Sequence, residues 1–138
     1  MLGALAGIAV GILTIVLARA IRGERWVYAI GLLTLPTLYA SFALRVGDQA
    51  IGLKELLYGL PFIVAGLVFA LASARQSAFV VGAFWMLHAV YDLVHDHFLI
   101  NPGRPDWYPV LCFMVDVVVG AYVLWLSRRI PDANLHEA

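Results

Sequence analysis

Five apolar stretches, each close to the length of a membrane-crossing helix, leave this chain few folds other than a bundle of transmembrane helices. The stretches run roughly over Leu2–Ile21, Trp26–Val46, Glu55–Ser73, Ala78–Ile100 and Tyr108–Ser127. A helix needs about 20 apolar residues to cross a bilayer. Hydrophobic residues make up 63% of the chain and charged residues 13%, whereas a soluble domain has about 45–50% and about 25%. We therefore predict an all-α membrane bundle of five transmembrane helices, forming a single domain over residues 1–138.

The connections between these stretches predict how the helices are arranged. They cover only residues 22–25, 47–54, 74–77 and 101–107, so consecutive helices should be antiparallel neighbours. Basic residues favour the cytoplasmic side of a membrane. One side of the predicted bundle carries six arginines and the other side carries Arg45, Lys54 and Arg104. This bias predicts an N-terminus outside the cell and a C-terminus in the cytoplasm.

The first stretch has two further features. Ala18-Arg19-Ala20 has the small-x-small form of a signal-peptide cleavage site, but no basic residue precedes the apolar run, which favours a retained helix. Gly3, Gly7 and Gly11 form a smooth stripe at four-residue spacing on which another helix can pack closely. We interpret the stripe first as a packing face within the chain, and second as a contact between copies in a homo-oligomer.

Five ionisable side chains lie on one short part of the fourth stretch, at His88, Asp92, His95, Asp96 and His97. An ionisable residue at the centre of a membrane helix costs roughly 2.5–3.5 kcal/mol on insertion scales, so such residues usually have a function. At 3.6 residues per turn, His88, Asp92 and His95 fall on one helical face, within about 60° of each other. Asp96 and His97 lie off this face and close to the outer end, where water can reach them.

Asp116 on the fifth stretch is the predicted partner of this face. Asp92 is about 12 Å from the outer end of its helix, and Asp116 is equally deep on the antiparallel neighbour, so the two carboxylates should meet. Glu55, at the predicted outer start of the third stretch, can line the same cavity. Pro36 and Pro61 should kink their helices and help to shape that cavity. The predicted site is therefore a polar cavity toward the outer face, between the third, fourth and fifth helices.

Several chemistries suit these residues. A divalent transition metal (zinc, iron, manganese or copper) could be bound by His88, Asp92, His95 and Asp116, and such a site could serve an enzyme acting on a lipid-like substrate, with Asp116 completing or orienting the site. Alternatively, Asp92 and Asp116 could share a proton in a metal-free isomerase or cyclase. In the metal-dependent enzyme, Glu55 is a candidate proton carrier. A proton relay or small transporter, and a purely structural polar cluster, are the remaining alternatives.

The sequence also excludes several classes of partner and site. It has no basic stripe of the kind that binds nucleic acid. Its one cysteine, Cys112, cannot form an intrachain disulfide, and a lone buried cysteine more often packs as a small apolar residue than binds metal. Phosphate-binding glycine loops and the Gly-x-Ser-x-Gly motif are absent as well. The expected partners are the lipid bilayer and a hydrophobic small molecule.

The last two stretches carry a combined pattern, His-x-x-Tyr-Asp-x-x-His over residues 88–95, then Pro-x-Trp-Tyr-Pro-x-x-Cys-x-x-x-Asp over residues 105–116. This pattern resembles that of a family of small bacterial integral membrane proteins of unknown function. The resemblance is strongest over these two stretches and extends in length and hydropathy to the whole chain. It implies a multi-pass protein of the bacterial inner membrane whose hallmark residues are those identified above, and it implies no particular activity.

Overall fold

The computed structural model describes residues 1–71 and 74–129, with side chains outside 69–77, and all regular structure within these residues is helical. In chain order the helices are α1 (Leu2–Ala20), α2 (Glu24–Arg45), α3 (Gln49–Tyr58), α4 (Leu60–Leu71), α5 (Ala74–Phe98) and α6 (Tyr108–Ser127). Within the described residues, four helices are long and apolar enough to cross a membrane, and α3 with α4 provides a fifth span if the pair is counted as one. The predicted all-α membrane bundle is confirmed.

The third span differs from its prediction because it is broken and begins earlier. Helix α3 starts at Gln49, where the carboxylate of Asp48 accepts a hydrogen bond of 2.9 Å from the Ile51 amide and caps the helix. A bend of 49° separates it from α4. Pro61, which has no amide hydrogen, is the second residue of α4, where proline is tolerated. The predicted start of the span at Glu55 was wrong. The prediction followed the apolar residues of the chain, whereas the helix begins earlier, at the polar cap formed by Asp48.

Two other predicted boundaries also change. Residues 74–77, expected to be a connection, form the first turn of α5. Pro36 lies inside α2, which nevertheless continues as one helix from Glu24 to Arg45. The proline that interrupts a span is therefore Pro61, and the interruption falls beside the polar residues of α3.

The glycine stripe of α1 packs against α6. A Cβ atom added at Gly7 would lie 2.7 Å from Met114 Cβ and even closer to the Leu111 carbonyl, so only glycine allows the two helices to approach this closely. Gly11 meets Val118 in the same way. The stripe therefore contacts a helix of the same chain, as its first interpretation predicted. Helix α6 in turn lies between α1 and α5, while α2 packs against α3 and α4.

The loop over residues 101–107 folds back onto the end of α2 and covers the polar end of the bundle. Gly103 approaches the Phe42 carbonyl so closely that a side chain would collide with the backbone there. The Asn101 side chain points inward and is 5% exposed, and its Oδ1 accepts a hydrogen bond of 3.1 Å from the Gly103 amide. Trp107, at the other end of the loop, is exposed. The loop thus closes the polar end of the bundle.

Candidate metal centre

Helix α5 presents its polar residues to the interior and its apolar residues outward. His88, Asp92 and His95 are each at most 4% exposed, whereas Leu87 and Leu93 are more than half exposed. This arrangement reverses the usual pattern of a soluble helix, because the surroundings of a membrane span are hydrocarbon. The predicted common face of the three residues is therefore the buried face of the helix.

Four buried side chains from α5 and α6 converge near the middle of this face. One ligand atom from each of His88, Asp92, Cys112 and Asp116 can be chosen so that all four lie within 4.8 Å of one another. Asp92 and Asp116 meet at the depth that counting from the connecting loop predicted. The cluster has the composition of a site that could hold a metal ion, and Cys112 takes part in it rather than packing as an isolated apolar residue.

Hydrogen bonds orient three of these groups and leave two oxygens free. His88 Nδ1 lies 2.7 Å from Asp116 Oδ2 and 3.7 Å from Asp92 Oδ1. The Tyr39 hydroxyl donates a hydrogen bond of 2.7 Å to Asp92 Oδ1. The second oxygens, Asp92 Oδ2 and Asp116 Oδ1, are buried and have no hydrogen-bond partner among the described residues. Buried polar atoms of this kind call for an explanation, and a bound ion is one.

The charges of the cluster favour a cation. Two carboxyl groups and a thiol face one imidazole, and the ion pairs described for these residues include no lysine or arginine. A carboxylate removed from water costs several kcal/mol unless it is neutralised, paired or bound to a metal. His88 alone cannot balance both Asp92 and Asp116. Either a proton or a cation must supply the remaining positive charge.

Aromatic rings surround the imidazole of His88. The Phe62 ring lies edge-on to it with centroids 4.7 Å apart, and the Tyr91 ring lies 5.7 Å away. Trp85, one turn earlier on α5, is 3% exposed and donates a hydrogen bond of 2.9 Å to the Tyr28 carbonyl. These rings keep water from the cluster and hold the imidazole in one orientation.

His95 belongs to a second cluster. It lies about one helical turn beyond Asp92, toward the 101–107 loop. Its Nε2 lies 3.1 and 3.0 Å from the two carboxylate oxygens of Glu55. Asn101 Nδ2 donates hydrogen bonds of 2.8 Å to Glu55 Oε1 and 2.9 Å to the Tyr39 carbonyl. This cluster thus joins α2, α3, α5 and the closing loop. Glu55 is 2% exposed and does not belong to the four-residue cluster.

The second cluster reaches the surface through an ion pair. His95 Nδ1 lies 3.2 Å from Asp96 Oδ1, and Arg104 Nη2 donates hydrogen bonds of 2.8 Å to both oxygens of Asp96. Asp96 is exposed, as the sequence predicted, and so is His97. His97 takes no part in the hydrogen bonds or ion pairs of the described residues. It therefore provides a matched control for the buried histidines.

The structure thus groups the metal-ligand candidates differently from the prediction made from the sequence. His88, Asp92 and Asp116 come together, but His95 faces Glu55 and its place near the other three is taken by Cys112. The physical reason is depth. His95 shares the angular position of His88 but lies seven residues along, about 10 Å higher on the helix. Cys112 lies one turn from Asp116 and shares its face.

Two residues of these clusters are difficult to identify from the sequence. Asn101 is the first residue of a loop, where a buried side-chain amide is not expected. Its position directly before Pro102 is the one sequence feature that could have indicated a structural role. For Tyr39 the sequence gives only a polar group within an apolar stretch. Its hydroxyl and ring connect the two clusters, since the ring stacks on His95 with centroids 4.5 Å apart.

Comparison with known proteins found no family model, no curated protein and no solved structure that matches this chain. The family resemblance therefore stays a prediction.

Proposed function

We propose that the chain is a membrane metalloprotein whose ion is held by His88, Asp92, Cys112 and Asp116. The observation that carries the proposal is the convergence of four ligand-bearing side chains within 4.8 Å, with two buried carboxylate oxygens left without partners. A tetrahedral site with bonds of ~2.1 Å has ligand atoms ~3.4 Å apart. The cluster is therefore close to the required size without a rearrangement of the helices.

Zinc is the metal that the donor set favours. Thiolate, imidazole and carboxylate are the three side-chain ligand types that zinc accepts. The thiol disfavours magnesium and calcium, which prefer oxygen ligands. The single histidine of the cluster also differs from the two-histidine, one-carboxylate triad of non-haem iron oxygenases. A zinc ion bound by three of these four side chains would keep one position for water, which it would activate for hydrolysis of an ester or phosphate.

The residues around the cluster suit an enzyme acting on a lipid-like molecule within the membrane. Tyr39 orients Asp92, and His88 orients Asp116, so each carboxylate has one fixed oxygen and one available oxygen. Such outer partners fix the geometry of metal ligands. We further propose that the bundle lies in the bacterial inner membrane, with its N-terminus outside and the 101–107 loop on the outer face, in line with the arginine bias of the sequence. In that orientation the cluster lies in the outer half of the bilayer.

Elemental analysis of the detergent-purified protein, produced without a histidine tag, tests the proposal. We expect close to one zinc per chain in the wild type and in the control His97→Ala, and much less in Asp116→Asn and Cys112→Ser. His95→Gln should retain the metal, because His95 pairs with Glu55. A wild type that contains no metal after growth in metal-replete medium would overturn the proposal.

The unpartnered oxygens also support a second candidate, a metal-free isomerase or cyclase. Asp92 Oδ2 and Asp116 Oδ1 could share one proton between two adjacent carboxylates. In that case the metal-free wild type should show the infrared carbonyl band of a protonated carboxylic acid. The band should vanish in Asp92→Asn and persist in the control Asp106→Asn, whose carboxylate is exposed.

A further inference from the structure

An apolar groove of about 650 Å³ lies on the outside of the bundle, beside the break between α3 and α4. Leu57 of α3, then Leu60, Val64 and Val68 of α4, form one wall, and Phe84 of α5 contributes to the other. The volume lies in the range of ~300–1,000 Å³ that is usual for small-molecule sites. The groove therefore has room for a ligand of substantial size.

The shape of the groove matches one acyl chain. Leu60 and Val68, both on α4, are eight residues apart, which at ~1.5 Å per residue gives ~12 Å, and Leu57 extends the groove across the bend onto α3. The hydrocarbon core is ~30 Å thick, so each leaflet supplies chains about half that long. Leu57, Leu60, Val64 and Val68 are 49–56% exposed. Because these side chains belong to a candidate membrane span, they would face the hydrocarbon of a bilayer.

The floor of the groove is close to the metal cluster. Ala65, which lines the groove, is 4% exposed, and Phe62, on the same helix behind the lining, is 5% exposed. The Phe62 ring contacts Phe84, with centroids 6.0 Å apart, and His88, with centroids 4.7 Å apart. The rings of Phe84, which lines the groove, and Phe62, behind it, thus connect the groove to the cluster.

A cation lies above the end of the groove that is nearest the membrane surface. Lys54 is exposed and precedes Leu57 by three residues, so the two side chains are neighbours on α3. No ion pair within the described residues involves Lys54. A lysine at this level can extend its ammonium group to the headgroup region while its stem follows the apolar surface. Its natural partner there is a phosphate.

We propose that this groove binds one acyl chain of a glycerophospholipid of the outer leaflet, with the phosphate of that lipid at Lys54. The lipid-binding site stands independently of any metal. That the bound lipid is also the substrate rests on the proposed metal centre, which the rings of Phe84 and Phe62 separate from the chain.

Photolabelling in vesicles tests this site. The probe is a phosphatidylglycerol that carries a diazirine in its acyl chain, present at increasing fractions in phosphatidylcholine vesicles that contain the wild-type protein. Peptide mass spectrometry locates the labelled residues. We expect saturable labelling at Leu57, Val64 and Phe84, and only non-saturable labelling at exposed residues outside the groove, such as Leu67. Equal, non-saturable labelling at all of these residues would mean that ordinary bilayer lipid covers the groove, and would overturn the proposal.

Matched tryptophan variants on α4 sharpen the test. Val64→Trp fills the groove, whereas Leu67→Trp places the same ring on the exposed face of the same helix, outside the groove. We expect Val64→Trp to weaken saturable labelling about tenfold, which corresponds to ~1.4 kcal/mol, and Leu67→Trp to leave it unchanged. Val68→Trp replaces Val64→Trp if the latter does not fold. Equal labelling in the groove-filling and control variants would contradict the proposal.

Competition separates the chain from the phosphate, and a metal-site variant separates this proposal from the previous one. Unlabelled phosphatidylglycerol should compete better than dioleoylglycerol, which has no phosphate, and Lys54→Gln should remove that difference. A difference that persists in Lys54→Gln would refute the role of Lys54. Labelling should be the same in Asp116→Asn, so a failure of the metal proposal would leave this result intact.

Discussion

The hydroxyl of Tyr39 donates a hydrogen bond of 2.7 Å to Asp92 Oδ1, across from α2 to α5. The ring of the same tyrosine stacks on His95 at an angle of 27°, and its carbonyl accepts a hydrogen bond from Asn101. One residue therefore contacts both polar clusters through three different groups. The hydroxyl can be removed alone, which makes it possible to test the metal cluster without disturbing its neighbour.

Tyr39→Phe should weaken zinc binding while leaving the fold intact. Outer partners of metal ligands contribute about 10–100-fold to metal affinity, and the substitution removes only the donor to Asp92. Competition with a chromophoric chelator measures the affinity. Tyr28→Phe is the control, because the Tyr28 hydroxyl is buried and has no partner among the described residues. Equal affinities in the two variants would show that Tyr39 does not orient a ligand.

Glu55→Gln should destabilise the bundle and leave its zinc content unchanged. The glutamate accepts hydrogen bonds from Asn101 and faces His95 Nε2 with both oxygens. A glutamine offers one oxygen and turns an amide toward the other donor. A buried group that loses its partner costs about 1–3 kcal/mol. Thermal unfolding in detergent measures the loss of stability. If Glu55→Gln also lost its zinc, the prediction would be wrong, and the two clusters would form a single metal site.

Asp96→Asn should have a much smaller effect than Glu55→Gln. The Asp96 carboxylate is 60% exposed, although its pair with Arg104 has two bonds of 2.8 Å. Exposed ion pairs contribute about 0–1 kcal/mol, because water and salt screen them. The same unfolding assay compares the two variants directly. A loss in Asp96→Asn as large as that in Glu55→Gln would mean that the surface pair stabilises the bundle as much as Glu55 does.

Gly7→Val should lower stability without changing the mass of the particle. The added side chain would meet Met114 and the Leu111 backbone on α6, and overpacking of this kind costs about 1–3 kcal/mol. Ala9→Val, on the exposed face of α1, is the control. Light scattering of the detergent-solubilised protein gives the particle mass. A dimer that dissociates in Gly7→Val would instead support the homo-oligomer interpretation of the glycine stripe.

A cysteine at either end of the bundle tests the proposed orientation. Asp106→Cys lies in the loop beside the second cluster, and Arg22→Cys lies in the turn between α1 and α2. We expect a membrane-impermeant maleimide to label the first in intact cells and the second only after permeabilisation, with wild-type Cys112 buried and unlabelled. The opposite pattern would invert the bundle and place the phospholipid site in the inner leaflet.

The sequence predicted the spans well because the length of an apolar run is a local property. The distance of a residue from the end of its helix can also be counted from the sequence. Counting from the short loop between α5 and α6 therefore predicted that Asp92 lies next to Asp116. The rotation of each helix and the bend at Pro61 depend on packing between distant segments. These features place Glu55 against His95 and turn Cys112 toward His88, so neither pairing could be read from spacing alone. The inward fold of Asn101 depends likewise on the close contact of Gly103 with α2.

The order of the partners along the chain has a consequence for biogenesis. Chains emerge N-terminus first, so Tyr39 and Glu55 reach the membrane before α5 brings Asp92 and His95 to them. Asp116, the hydrogen-bond partner of His88, arrives only with α6. Helix α5 therefore enters the bilayer with the partners of His95 already present, while the cluster around His88 is still incomplete. Helix α6 completes that cluster, and a chain truncated before α6 would leave His88 and Asp92 without Asp116.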